Sequence, residues 1–170
     1  SEIAYSRLKQ AFRDRAVHKV YHAVIQGLAD PLAGTFDAPI GRHPKAEFKF
    51  AVMNDGKHSV THYETVEAFR SASLVEIVLE TGRTHQIRVH FAHRRHALVG
   101  DQVYGGRLAL PKGASEELIQ VLRHFKRQAL HATRLAFEHP ISGEAIDLEV
   151  APPNDFQALI EAMRRDMVDE

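Results

Sequence analysis

The run Leu79-Glu80-Thr81-Gly82-Arg83-Thr84-His85-Gln86-Ile87-Arg88-Val89-His90 gathers more side chains able to do chemistry than any other stretch of the chain. Its order predicts a strand end, a glycine turn, and a helix that starts with Thr84 as its cap and runs to about residue 95. Free N–H groups at a helix start attract anions, and Arg83 stands beside them. At about 100° per residue, Arg88 falls between Ile87 and Phe91 on one side and Ala92 on the other, a flank expected to be buried. A buried guanidinium calls for an anion, ideally a carboxylate accepting two parallel bonds. The alternative is an arginine whose methylenes lie along apolar surface while its head reaches water. Spacing alone does not separate the two. Tyr21 shares a predicted strand face with Lys19, Ala23 and Ile25, and by itself reads as a β-former packed in a core.

Twelve histidines raise the question of a metal. On a helix, His90, His93 and His96 drift by about 60° per step and do not converge on one ion. That run holds no carboxylate, and the chain has no HExxH and no cysteine, so no metal site is predicted. His18 and His22 share a strand face but lack a third ligand nearby. Gly100-Asp101-Gln102-Val103-Tyr104-Gly105-Gly106 is neither a Walker loop nor GxGxxG, and predicts a turn in which Asp101 could orient a basic side chain. No Ser-His-Asp spacing stands out.

The elements that must position these residues can be read from periodicity. A helix is predicted over 3–14, with Ala4, Leu8, Ala11 and Phe12 on one stripe. A strand covers 18–26 and stops at Gly27. Residues 29–44 hold three prolines and two glycines and read as a loop with one short strand at Thr35-Phe36. Phe48, Phe50 and Val52 alternate as in a half-buried strand, and Asn54-Asp55-Gly56-Lys57 is a turn signal. Return strands at 59–69 and 74–80 complete an antiparallel meander with one wet face. Residues 111–115 lead to a helix whose core stripe is Leu118, Ile119, Leu122 and Phe125. Strands at 129–138 and 145–150 flank a turn at Pro140-Ile141-Ser142-Gly143. Asn154 caps a last helix carrying Phe156, Leu159, Ile160 and Met163. The class is α+β, a mostly antiparallel mixed sheet with packed helices, in a single domain spanning 1–170.

The 170 residues suffice for one domain with a sizeable core. The longest uninterrupted apolar run, Phe50 to Met53, is far too short to span a bilayer. No secretory pattern opens the chain, and the absence of cysteine excludes disulfides and thiolate catalysis. A soluble cytoplasmic protein is expected. Lysine plus arginine and aspartate plus glutamate both number 22, so the net charge is zero. The charge is not evenly spread. Residues 81–100 carry Arg83, Arg88, Arg94 and Arg95 with no acid, and residues 119–136 carry Arg123, Lys126, Arg127 and Arg134 with no acid. Two such segments predict a positive surface facing a polyanion, RNA or DNA.

With the motifs taken in order, a resemblance appears. Lys19-x-Tyr21-x-Ala23-x-x-x-Gly27, Ala38-Pro39-Ile40-x-Arg42 and Thr61-His62-Tyr63 precede the run from Leu79 to His90. Val99-Gly100-Asp101-x-x-Tyr104-Gly105 and Leu130-His131-Ala132 follow it. The whole chain resembles the catalytic domain of the RluA-type pseudouridine synthases, in particular members acting on large-subunit ribosomal RNA. The resemblance implies isomerisation of uridine to pseudouridine in structured RNA without cofactor or metal, on a base flipped into the pocket. Ribosomal RNA is implied ahead of transfer RNA, and no membrane. It gives Arg88 the role of pairing with a catalytic aspartate, and Tyr21 that of packing on the flipped base. It places Arg83, His85 and Gln86 in the site or on its RNA-facing rim, and Arg42 of its motifs, with Arg94 and Arg95 of the basic segment, are expected as further RNA contacts.

One departure matters. The family's aspartate lies in an HRLD-type motif, and none of the nine aspartates here follows His-Arg-Leu. That motif belongs upstream of the point where these residues begin, and there is no initiator methionine. The resemblance therefore implies a partial catalytic domain that lacks the nucleophile and the first strands of the sheet and is inactive alone. The alternative is a non-catalytic RNA-binding domain on the same scaffold.

Overall fold

The computed structural model describes residues 3–4 and 17–168. Ile3 and Ala4 are helical, and the rest of the helix expected over 3–14 lies outside the described residues. From residue 17 onward the strands are β1 (His18–Gln26), β2 (Ala33–Asp37), β3 (Ile40–Arg42), β4 (Phe50–Val52), β5 (Val60–Ala68), β6 (Ala72–Leu79), β7 (Leu130–Glu138) and β8 (Ala145–Glu149). The helices are α1 (Gln86–His93) and α2 (Glu116–His124), both between β6 and β7, and α3 (Asn154–Val168). Among the described residues none of them is long and apolar enough to cross a membrane.

Six strands form one sheet in the order β2-β5-β6-β1-β7-β8, and every neighbouring pair is antiparallel. The α+β class holds, with no parallel pairing among the described residues. Strand side chains alternate between faces, so β1 supplies two cores at once. Ala23 and Ile25 join Val75, Ile77 and Tyr63 under Ile87 and Phe91 of α1. Val24 and Leu74 face the other way, onto Leu118 and Leu122 of α2 and Phe156, Leu159 and Met163 of α3. α2 and α3 thus cover the second face only around Val24 and Leu74, while Glu76 and Glu80 keep side-chain exposures of 44% and 34%, so the expected wet face survives on the rest of it. Only where helices lie on both faces do the central strands bury both sets of side chains.

The meander is corrected. The turn after β4 forms, with the Gly56 amide donating to the Met53 carbonyl at 2.9 Å. It does not join paired strands. β4 pairs with β3 in a separate ribbon, while β5 lies between β2 and β6. The short strand expected at Thr35-Phe36 is the centre of β2, whereas β3 lies in the part of the proline-rich stretch read as loop. Pro31 precedes β2 and Pro39 separates β2 from β3, so the missing N–H groups fall between strands and break no ladder. The second half of the chain follows expectation more closely. Ser115 has extended backbone and its hydroxyl accepts from the Leu118 amide at 3.2 Å, an N-cap that starts α2. Phe156, Leu159, Ile160 and Met163 are all buried on α3.

Candidate active site

The turn from β6 into α1 is not organised by Thr84. The position before the helix is His85, held in the left-handed region at φ 54°, and it makes no side-chain cap bond. Gln86 does that work from inside the helix. Its Oε1 accepts from the Thr81 hydroxyl at 2.7 Å and from the Arg83 amide at 3.0 Å. Its Nε2 donates to the Val60 carbonyl at 3.0 Å and to the Thr61 hydroxyl at 2.9 Å. The amide is buried and fully satisfied, so Gln86 fastens the 81–85 turn to β5 and presents no free edge to a partner.

One turn along α1, Arg88 meets a carboxylate inside the chain. Its Nε donates to Asp101 Oδ2 at 2.8 Å and its Nη2 to Oδ1 at 3.0 Å, with side-chain exposures of 11% and 0%. This is the bidentate pairing that a buried guanidinium requires. Asp101 Oδ1 also accepts from the Val103 and Tyr104 amides, both at 3.0 Å. Burial by itself would raise the Asp101 pKa, but the bonds from Arg88 and from the two amides outweigh it and hold the carboxyl below its ordinary value. The loop can wrap this carboxylate only because its glycines have no side chains. A Cβ at Gly100, where φ is +81°, would lie 2.1 Å from the Arg127 carbonyl oxygen, and one at Gly105 would lie 2.3 Å from that of Asp101. Arg88 Nη1 makes no hydrogen bond among the described residues and is not sealed from solvent.

Beside this pair is a cavity of about 1080 Å³, lined by Tyr21, Arg83, His85, Gln86 and Arg88 together with Lys19, His58 and Leu130. Tyr21 enters it from β1, at the point where the pairing of β1 with β7 shifts register between Val20 and Tyr21. Such a shift re-aims a side chain, and here a tyrosine expected to pack in a core borders a hollow. Its phenol has no hydrogen-bond partner among the described residues and is not sealed off. Burial raises its pKa, so it stays protonated. Arg83 is held at the rim by its Nε, which donates to the His58 carbonyl at 2.9 Å.

Tyr104 belongs to one of the motifs that carry the resemblance, but the sequence assigned it no role in the site. Its ring lies 4.9 Å from the Arg88 guanidinium carbon, and its hydroxyl is 2.8 Å from His85 Nδ1 and accepts from the Phe50 amide at 3.0 Å. One side chain therefore links β4, α1 and the loop. Burial pushes the His85 imidazole below its ordinary pKa, and the neighbouring Arg88 adds to this. The side-chain contacts of Tyr104 with Phe50, His85 and Arg88 all join residues far apart in the sequence, so spacing alone gives no sign of them.

The remaining candidates lie elsewhere. Arg42 sits at the end of β3, 5.5 Å from the Phe50 ring, and does not line the cavity. Arg94 and Arg95 follow the other end of α1, exposed, with no carboxylate in ion-pair range among the described residues. His90 is buried with both nitrogens engaged, Nδ1 with the Thr61 hydroxyl at 2.7 Å and Nε2 with the Ala38 carbonyl at 2.9 Å. No group of histidines and carboxylates able to hold a metal occurs among the described residues. Two of the four cations of the second basic segment are neutralised in space. Arg127 takes Asp155 in a bidentate pair and Arg134 takes Asp147. The expected positive surface is therefore reduced in both segments, leaving Arg83, Arg94 and Arg95 in the first and Arg123 and Lys126 in the second without an acidic partner among the described residues.

Comparison with known proteins gives this geometry a family. Residues 1–93 match the family described as RNA pseudouridylate synthase. The chain is 52% identical over 163 residues to ribosomal large subunit pseudouridine synthase D of Xanthomonas campestris pv. campestris, covering 96% of this chain and 49% of that protein. Against the protein of the same name from Salmonella typhimurium it is 49% identical over 166 residues, covering 98% and 51%. The chain thus spans about half the length of these curated relatives. Among solved structures, human RNA pseudouridylate synthase domain containing 1 superposes with a TM-score of 0.71 at 26% identity, over 90% of this chain and 62% of that one. Human RNA pseudouridylate synthase domain containing 4 shares the fold, with a TM-score of 0.72 at 24% identity over 94% and 67%. On a match that covers more than half its residues, including β1, β6 and α1, the chain belongs to the RNA pseudouridylate synthase family.

Proposed function

We propose that these residues form the substrate-facing half of an RNA pseudouridine synthase acting on large-subunit ribosomal RNA. The observation that carries the proposal is the cavity on which Tyr21, Arg83, His85 and Arg88 converge from β1, the β6–α1 turn and α1. Its volume of about 1080 Å³ accommodates a flipped nucleotide. Tyr21 packs its ring against the uracil, and its protonated phenol can exchange a hydrogen bond with the base. Arg88 has two nitrogens committed to Asp101, which fixes the plane of the guanidinium, and offers Nη1 to the catalytic aspartate. That aspartate belongs to an HRLD-type motif, which these 170 residues do not contain. Alone they therefore turn over no uridine. The names of the relatives favour ribosomal over transfer RNA.

The test is Arg88→Lys in the full-length protein. An ammonium cannot reproduce a planar fork bonded to Asp101 on one side and to a second carboxylate on the other. Loss of about a hundredfold or more in pseudouridine formation is expected, on the scale of removing one preorganised donor from an active site. Turnover at the wild-type rate would refute the role given to Arg88, and pseudouridine formation by residues 1–170 alone would refute the need for an outside aspartate. The missing HRLD motif also favours a second reading, an RNA-binding domain without catalysis. A full-length protein that binds structured RNA but forms no pseudouridine would establish it.

A further inference from the structure

The arrangement of Tyr104, Phe50 and His85 carries an inference beyond membership of the cavity lining. The Tyr104 hydroxyl already accepts from the Phe50 amide at 3.0 Å. Its one proton has a single acceptor in reach among the described residues, His85 Nδ1 at 2.8 Å. If Nδ1 carried a proton instead, the hydroxyl would accept two bonds and its own hydrogen would have no partner. Full satisfaction therefore makes Nδ1 the acceptor and leaves the imidazole proton on Nε2. Nε2 has no hydrogen-bond partner among the described residues and is not sealed off, and His85 lines the cavity beside Arg88 and Tyr21.

The ring has little freedom to turn. It meets Phe50 and Tyr104 edge to face, at centroid distances of 5.9 and 5.6 Å. Its backbone is held at φ 54°, a conformation that non-glycine residues adopt rarely and mostly where surrounding contacts enforce it. Tyr104 in turn is fixed by its own amide on Asp101 and by the guanidinium of Arg88 over its ring.

We propose that Tyr104 is a positioning residue that locks His85 as a hydrogen-bond donor, with Nε2–H presented to an oxygen of the nucleotide held in the cavity. This rests on the pseudouridine synthase function proposed above. The acceptor is an oxygen with a free lone pair, either a uracil carbonyl or a phosphate oxygen flanking the base. Burial and the adjacent Arg88 keep the imidazole neutral, which is the state the tautomer requires.

The experiment uses the full-length protein under single-turnover conditions with a structured ribosomal RNA fragment. His85→Asn tolerates the left-handed backbone and can still meet the Tyr104 hydroxyl, but is too short to place a donor where Nε2 lies. His85→Gln restores a donor at that reach. The Asn variant is expected to lose roughly tenfold in rate, and Gln to recover most of it, with little change in RNA affinity or melting temperature in either. Tyr104→Phe, which keeps the ring under Arg88 and removes the hydroxyl, should slow the reaction in the same sense. Three modified RNAs locate the acceptor, one with a 2-thiocarbonyl and one with a 4-thiocarbonyl in the target uracil, and one with methylphosphonates flanking it. On the RNA whose acceptor is impaired, His85→Asn should cost nothing further.

Equal rates for wild type and His85→Asn would overturn the inference, as would equal losses for Asn and Gln, which mark a structural role. An Asn penalty that persists undiminished on all three modified RNAs would overturn it too. A wild-type protein that forms no pseudouridine would instead overturn the proposed function, and the inference with it.

Discussion

The Arg88–Asp101 pair is the most exposed to test of the contacts that shape the cavity. Consider Asp101→Asn. The amide oxygen can still accept from the Val103 and Tyr104 amides, but the side chain loses its charge and turns an NH2 toward Arg88 Nε. The two charged side chains are only 11% and 0% exposed, so the guanidinium is left without its counter-ion in a poorly hydrated site. Removing one partner of a buried pair costs about 3–5 kcal/mol. For a domain of this size each kcal/mol lowers the melting temperature by about 2–4 °C, which gives a fall of roughly 6–20 °C. Urea unfolding of wild type, Asp101→Asn, Arg88→Met and the double variant closes a double-mutant cycle. The double variant should lose less than the sum of the single ones, since the orphaned charge is gone. The pH dependence has a definite sign. Asp101 is held below its ordinary value in the folded protein, so the unfolded chain binds the proton first as pH falls. Its contribution is fully present above the ordinary aspartate pKa and is lost as pH drops through the folded value. The advantage of wild type over Asp101→Asn should therefore be constant near neutrality and shrink below about pH 4. A single-variant cost under about 1 kcal/mol, the range of exposed ion pairs, would refute the claim that this pair is buried and supports the loop.

Two further outcomes follow from the packing and the charge distribution. Phe91 is fully buried and meets the rings of Phe36 and Tyr63, so Phe91→Ala should cost about 3–5 kcal/mol in urea unfolding. Arg94→Ala and Arg95→Ala should each flatten the dependence of log RNA affinity on log salt by roughly 0.7–0.9, if each contacts a phosphate. Arg127→Ala, whose guanidinium is committed to Asp155, should leave that slope unchanged within error when measured with the same RNA.

The legible parts of this protein were those where neighbouring residues carry the information. β1, β6, β7, β8, α2 and α3 could be placed from periodicity and turn residues, because alternation or helical stripes are local and their caps and turns lie within a few residues. The run from Thr81 to His90 announced a site for the same reason. It concentrates a glycine turn, arginines and a helix start in ten positions. That Arg88 lies on a flank expected to be buried was also legible from its helical neighbours, but not whether its head meets an anion or water.

What the Arg88 head meets was decided only by the fold. Asp101 lies thirteen residues on, in a loop whose path is set by glycines and by contacts with the 125–127 segment. The separate β3–β4 ribbon, the pairing of β5 with β2, and the cancellation of Arg127 and Arg134 by Asp155 and Asp147 all join residues distant in sequence. Tyr104 and Gln86 show the same limit from opposite directions. One looked like part of a simple turn and proved to be the support of His85 and Arg88, while the other looked like a substrate contact and spends its amide on the protein. Composition and spacing state which groups a chain has to satisfy. Which partner satisfies each of them depends on the three-dimensional packing of the sheet and helices, because burial and hydrogen-bond geometry exist only once distant segments meet.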